Sequence, residues 1–222
     1  MTLRYWSLLL AITVGGVLRI NGIDASLNHD EAFTVEAFAS YPYSHIFTSY
    51  PAPNNHILHS ALVRLSTQLF GISEWTVRFP ALLAGIGAVP ALWLLCQGIF
   101  PNPLVATVAS WMLALTPTHI AYSQQARGYS LLILFSILAF NSLYAVINGN
   151  NGPRWRSWAG FAGFGLLAAQ VMPTGAIMTI ASVGWSLFVV MYQRRYRLLW
   201  MLFCVAIVMI VGIGLVYLPV RE

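Results

Sequence analysis

Ile57-Leu58-His59-Ser60-Ala61-Leu62-Val63-Arg64-Leu65-Ser66-Thr67-Gln68-Leu69-Phe70 is apolar enough to tempt a membrane span, and whether it crosses decides the topology of the whole chain. At ~1.5 Å rise per residue it covers about 21 Å, short of a hydrocarbon core of about 30 Å. Ser60, Arg64, Thr67 and Gln68 recur at three- and four-residue spacing and therefore share one helical face. That pattern predicts a helix lying in the interface and not a crossing.

Outward from this segment, the runs at 5–23, 79–100, 104–122, 129–147 and 198–218 are each long and apolar enough to span. The stretch 158–192 would be roughly 50 Å long as one helix, too much for a single crossing. Pro173 and Gly175 lie near its middle and arginines flank both ends, so two helices breaking around residues 172–175 are expected. The fold class that follows is an all-α membrane protein of about seven transmembrane helices, with interfacial helices in a long first outer loop. The whole chain, 1–222, reads as one transmembrane domain: span 1 at 5–23, the loop at 24–78, and spans 2–7 within 79–218.

Charge favours this count. With the N-terminus in the cytoplasm, Arg4, Arg154, Arg156, Arg194, Arg195 and Arg197 all fall inside, as the positive-inside bias requires. Asp24, Asp30, Glu31, Glu36, Glu74 and Glu222 all fall outside. Making 57–70 a span would carry the arginines of the two later loops to the wrong side. Composition agrees: 59% of the residues are hydrophobic and 8% charged, against about 25% charged in a soluble domain. All eleven basic residues are arginines, giving a net charge of +5, and they sit at the ends of apolar runs. No clustered basic face exists for nucleic acid. Cys96 and Cys204 lie within apolar runs, which argues against a disulfide framework. The first run has no small-residue cleavage site and reads as an uncleaved span.

Three clusters could carry chemistry. His29-Asp30-Glu31 follows the first span and sets two carboxylates at the outer surface. Partial desolvation there would raise a carboxylate pKa and suit it to take a proton from an attacking hydroxyl. An acidic pair can also hold a divalent cation, leaving Asp30 open as a metal ligand, while a plain helix-start acid explains the same residues. Asn54-Asn55-His56 leads into the 57–70 helix, and Arg78-Phe79-Pro80 leads out of it; Pro80 fits a first helical turn, and Arg78 reads in isolation as snorkelling to headgroups. Gln124-Gln125-Ala126-Arg127-Gly128-Tyr129 returns to the outer face, where an arginine can grip a phosphate. His45 and His119 read as interfacial, and Trp6, Trp75, Trp155, Trp158 and Trp200 as an aromatic belt. No phosphate-binding glycine loop, Cys/His metal spacing or serine nucleophile motif is present.

Read together, these segments resemble the N-terminal half of the GT-C superfamily of membrane glycosyltransferases, in the branch of protein O-mannosyltransferases and lipid A aminoarabinose transferases. The residues that carry the resemblance are Leu18-Arg19-Ile20-Asn21-Gly22, Asp30-Glu31-Ala32-Phe33, Asn54-Asn55-His56, Phe70-Gly71 with Glu74 and Arg78-Phe79-Pro80, and Ser123 to Tyr129. The resemblance implies transfer of a sugar from a polyprenyl- or dolichyl-phosphate carrier on the outer face, with inversion. Asp30 would be the base and Glu31 its support. Arg127, Tyr129, Gln124, His56, Asn55 and Arg78 would serve the lipid phosphate. It implies a bacterial inner (plasma) membrane location, with the N-terminus cytoplasmic and the site outside. It also implies a C-terminal half that this chain lacks, which a second polypeptide could supply. No cofactor beyond that divalent cation is implied, and the acceptor is left unspecified. A non-catalytic protein that binds or moves polyprenyl lipids, or an inactive fragment of such an enzyme, would carry the same clusters. A seven-span transporter is disfavoured, because the spans are almost free of ionisable residues.

Overall fold

A computed structural model describes residues 3–49, 55–149 and 155–218. The expectations that fall on Asn54, Arg154 and Glu222 lie outside the described residues. Among the described residues every regular element is helical: α1 (Leu3–Ile20), α2 (His29–Thr34) running into a π-helical turn (Val35–Ala39), α3 (Tyr43–Thr48), α4 (Ile57–Phe70), α5 (Glu74–Ile99), α6 (Pro103–Leu115), α7 (Pro117–Ser123), α8 (Tyr129–Asn148), α9 (Trp155–Val171), α10 (Pro173–Tyr192) and α11 (Tyr196–Tyr217). Five of them, α1, α5, α8, α10 and α11, are long and apolar enough to cross a membrane, and α6 with α7 makes a sixth if the bent pair is one span. The seventh expected crossing, α9, has 17 residues, the lower limit of the ~17–25 that a span needs. The chain is an all-α membrane protein.

The helix at Ile57–Phe70 has the bounds read from the sequence. Two of its hydroxyls turn into the protein: Ser60 is buried and donates to Asn55 Oδ1, and Ser66 Oγ donates to the Thr76 carbonyl at 2.7 Å. Pro80 explains the second bond. It sits well inside α5, which starts at Glu74 behind the Ser73 cap, and not in a first turn as expected. A proline ring removes the N–H that would have bonded the carbonyl four residues back. That carbonyl belongs to Thr76, and the Ser66 hydroxyl takes the place of the missing donor.

The third run is not the straight span expected at 104–122. It breaks at Thr116-Pro117, with α6 and α7 meeting at 61°. Thr116 is extended (φ −66°, ψ 116°), as a residue before proline prefers. The stretch 158–192 divides where Pro173 opens α10 at its first position, with Met172 as the cap. Trp158 is not at an interface: it is buried with Phe161, Leu202 and Met209 in the core shared by α8–α11. Trp6, Trp75, Trp155 and Trp200 are exposed.

Candidate active site

Asn28 starts α2 with a capping box. Its Oδ1 accepts from the Glu31 N–H at 2.9 Å, and Glu31 Oε2 accepts from the Asn28 N–H at 3.0 Å. The box turns the Glu31 carboxylate inward, where it is 1% exposed and receives Arg78 Nε at 2.9 Å and Nη2 at 2.8 Å. The remaining N–H groups of Arg78 go to the carbonyls of Ile23, Ala25 and Ser26. A guanidinium has five N–H donors, and all five are used inside the protein. Arg78 is therefore not a headgroup anchor but the clamp that folds the 23–31 loop onto α5.

A fourth donor reaches Glu31 from far along the chain, the Ala126 N–H at 2.7 Å. Burial alone would raise the Glu31 pKa. The hydrogen bonds from Arg78, Asn28 and Ala126, with the Arg78 charge, outweigh it and hold the carboxyl below its ordinary value. Desolvation thus does not make Glu31 a base, contrary to the general expectation for this acidic pair. With both oxygens taken by N–H donors, Asp30 and Glu31 do not present two open carboxylates to a cation. Among the described residues, no group of three or more His, Cys, Asp or Glu gathers as a metal site.

The Glu31–Ala126 bond sets the register of their neighbours. One residue away on each strand of chain, Arg127 Nη1 meets Asp30 Oδ2 in an ion pair across 97 positions of sequence. Asp30 is 47% exposed and Arg127 17% exposed, so this pair reaches the protein surface while the adjoining Glu31–Arg78 pair does not. The next residue, Gly128, donates its N–H to His56 Nδ1 at 2.7 Å. A Cβ at Gly128 would lie 2.4 Å from Val171 Cγ1 and 3.0 Å from that same ring nitrogen, so the approach depends on glycine. Because an amide N–H can only donate, His56 Nδ1 accepts, and in the neutral ring the proton resides on Nε2. Burial, and next the Arg127 charge, lower the His56 pKa to about 4 against an opposing effect of Asp30. Tyr129 closes the group, with Arg127 Cζ 5.3 Å from its ring and His56 edge-on at 5.5 Å.

Of the eight residues expected at a site, the structure brings Asp30, Arg127, His56 and Tyr129 into one group. The other four have their polar groups committed elsewhere. Glu31 and Arg78 form the buried clamp. Asn55 gives both amide N–H groups to the Ile46 and Ser49 carbonyls and accepts from Ser60. Gln124 donates to the Leu18 and Asn21 carbonyls, holding the loop to the end of α1.

A second buried arginine was not recognised from the sequence as an internal group. Arg19 is fully buried, and its five N–H donors meet Gly15 O, Ala114 O, Leu113 O, Ser123 Oγ and His119 Nδ1. Leu113 lies four residues before Pro117, so its carbonyl is the one that the proline leaves without a partner. Arg19 thus caps the broken end of α6 and holds α7, and through it the Ser123–Tyr129 segment, against α1. His119, expected at the interface, is buried in this network. The available signal was a proline within an apolar run combined with an arginine inside a span. His59, one turn after His56, is also fully buried, and neither ring nitrogen has a hydrogen-bond partner. Burial, then the His56 and Arg127 charges, lower its pKa to about 3.

A sequence profile described as "Dolichyl-phosphate-mannose-protein mannosyltransferase" matches residues 53–221. The match includes His56, Arg78, Arg127 and Tyr129; Asp30 and Glu31 precede it. A protein of Bacillus subtilis (strain 168) named "Putative mannosyltransferase YkcB" is 34% identical over 83 residues, covering 37% of this chain and 12% of that relative's length. The chain therefore matches a small part of a longer relative. No solved structure matches it.

Proposed function

Because the chain belongs to the dolichyl-phosphate-mannose-protein mannosyltransferase family, we propose that it transfers a sugar from a polyprenyl- or dolichyl-phosphate carrier to an acceptor hydroxyl. The observation that carries this reading is the half-open Asp30–Arg127 ion pair, held in register by the Glu31–Ala126 and His56–Gly128 bonds. Asp30 is the base: it takes the proton as the acceptor oxygen attacks the anomeric carbon. The bond from that carbon to the phosphate oxygen breaks, and its electron pair leaves with the lipid phosphate. Attack opposite the leaving group inverts the centre. Arg127 binds the phosphate and stabilises the charge that grows on it, a role that a planar cationic fork suits. His56, neutral above about pH 4, supplies its Nε2–H as an uncharged donor next to the Asp30–Arg127 pair. Glu31 and Arg78 are positioning residues.

Sidedness is part of the proposal. The described carboxylates (Asp24, Asp30, Glu31, Glu36, Glu74) lie between the end of α1 and the first residue of α5, whereas Arg156, Arg194, Arg195 and Arg197 lie at the other helix ends. The positive-inside bias then favours an outward-opening site.

The test supplies the purified chain with radiolabelled polyprenyl-phosphate sugars and acceptor-containing membrane extract. Transfer of label supports the enzymatic reading. Saturable carrier binding with no transfer under any donor would instead support a non-catalytic polyprenyl-lipid binding protein.

A further inference from the structure

At the end of the bundle away from the Asp30–Arg127 pair, α5, α8 and α10 part to form a cleft of about 600 Å3. Leu95, Phe140, Met178 and Trp185 line its open apolar wall, and Asn148 and Gln193 stand where α8 and α10 end. Its size falls within the ~300–1,000 Å3 of small-molecule sites. Two arginines rim it. Arg194 and Arg195 follow Gln193 directly, and Arg195 Nη1 donates to the carbonyl of Ile147, itself a lining residue. Arg194 is exposed and has a left-handed backbone (φ 54°). Arg156 and Arg197 lie at the same end, and no described carboxylate does.

The positive-inside bias accounts for arginines in these connections. It does not account for an apolar cleft that opens onto them. A long apolar slot with amides at its mouth and uncompensated guanidinium groups beside them is complementary to an amphiphile with an apolar tail and an anionic head. We infer that the cleft binds an anionic glycerophospholipid from the leaflet opposite the Asp30–Arg127 pair. The acyl chain lies along α8 and α10, and the head meets Arg194 and Arg195. A zwitterionic lipid would fill the slot equally but bring its own cation to the arginines. The inference is independent of sugar transfer.

Native mass spectrometry of the purified full chain tests it, with phosphatidylglycerol, phosphatidylcholine of the same acyl chains, and a polyprenyl phosphate offered in turn. Phosphatidylglycerol is expected to be retained at one site in preference to phosphatidylcholine. The preference should fall about fivefold for each arginine neutralised. Arg194→Asn suits the left-handed backbone, and Arg195→Gln keeps an N–H for the Ile147 carbonyl. Ala181→Trp, which fills the slot, should remove retention of both glycerolipids. Equal retention of the two glycerolipids by the wild type would overturn the inference. So would phosphatidylglycerol retention unchanged in the arginine double variant, or retention confined to the polyprenyl phosphate.

Discussion

Glu31 and Arg78 are nearly dry, and each is the other's only charged hydrogen-bond partner among the described residues. Removing one member of such a pair strands the other, at about 3–5 kcal/mol. Arg78→Met and Glu31→Gln are each expected to lower the denaturation midpoint in detergent by that order. The joint replacement Glu31→Leu with Arg78→Met should cost less than the two singles combined, measured as a double-mutant cycle. Proton linkage works in one direction for both site groups with lowered pKa values. Glu31 is held below its unfolded value, so its stabilisation is present above the ordinary carboxyl range and is lost as pH falls through the folded pKa. His56 is buried neutral with a pKa of about 4, against ~6.5 unfolded. Its contribution is present above ~6.5 and drains away as pH falls toward 4. The melting temperature should therefore drop between pH 6.5 and 4, and His56→Asn, whose Oδ1 can accept from Gly128, should flatten that drop. An unchanged slope in the variant would contradict the assignment.

Two prolines shape the elements, and in each case a side chain serves the carbonyl that the proline leaves open. Ser66 does so for Pro80, joining α4 to α5. Arg19 does so for Pro117, joining α1 to α6 and α7. The second pairing predicts a sign change between backgrounds. Arg19→Met should destabilise by about 3 kcal/mol or more, since buried carbonyls lose their donors. Pro117→Ala, which returns an N–H to the Leu113 carbonyl, should recover ~1 kcal/mol in that background while bringing no gain in the wild type. Equal effects in both, by thermal denaturation, would refute the pairing. These elements also mark how far sequence reasoning reaches. Helix α4 and the Met172-Pro173 break were legible because length, helical spacing and proline at a first turn are local properties. The α6–α7 break was missed because apolar residues on both sides of Thr116-Pro117 mimic one span. Arg19 was missed because the groups that satisfy it lie about a hundred residues away. The site divides in the same way: Asp30, Arg127, His56 and Tyr129 were each visible as residue types. Which neighbouring polar groups were already spent on the fold could be read only from the contacts of Glu31, Arg78, Asn55 and Gln124.

At the scale of the whole molecule, charge separates along the bundle axis, with carboxylates at the Asp30 end and arginines dominating the far end. Sidedness can be read in cells from a background lacking Cys96 and Cys204. Ser26→Cys should react with an impermeant thiol reagent from outside, and Gln193→Cys only after permeabilisation; the reverse pattern would turn the site to the cytoplasm. The proposed transfer rests on one division of labour, in which Asp30 moves the proton and Arg127 holds the lipid phosphate. The most direct measurement is sugar transfer and carrier affinity, side by side, in the wild type, Asp30→Asn and Arg127→Gln. Asp30→Asn is predicted to cut transfer by about 10²–10⁴-fold, the worth of a positioned general base, while keeping carrier affinity. Arg127→Gln is predicted to weaken carrier binding by about tenfold or more, as loss of a charge-assisted contact does. Transfer by Asp30→Asn at the wild-type rate, or carrier affinity unmoved in Arg127→Gln, would contradict it.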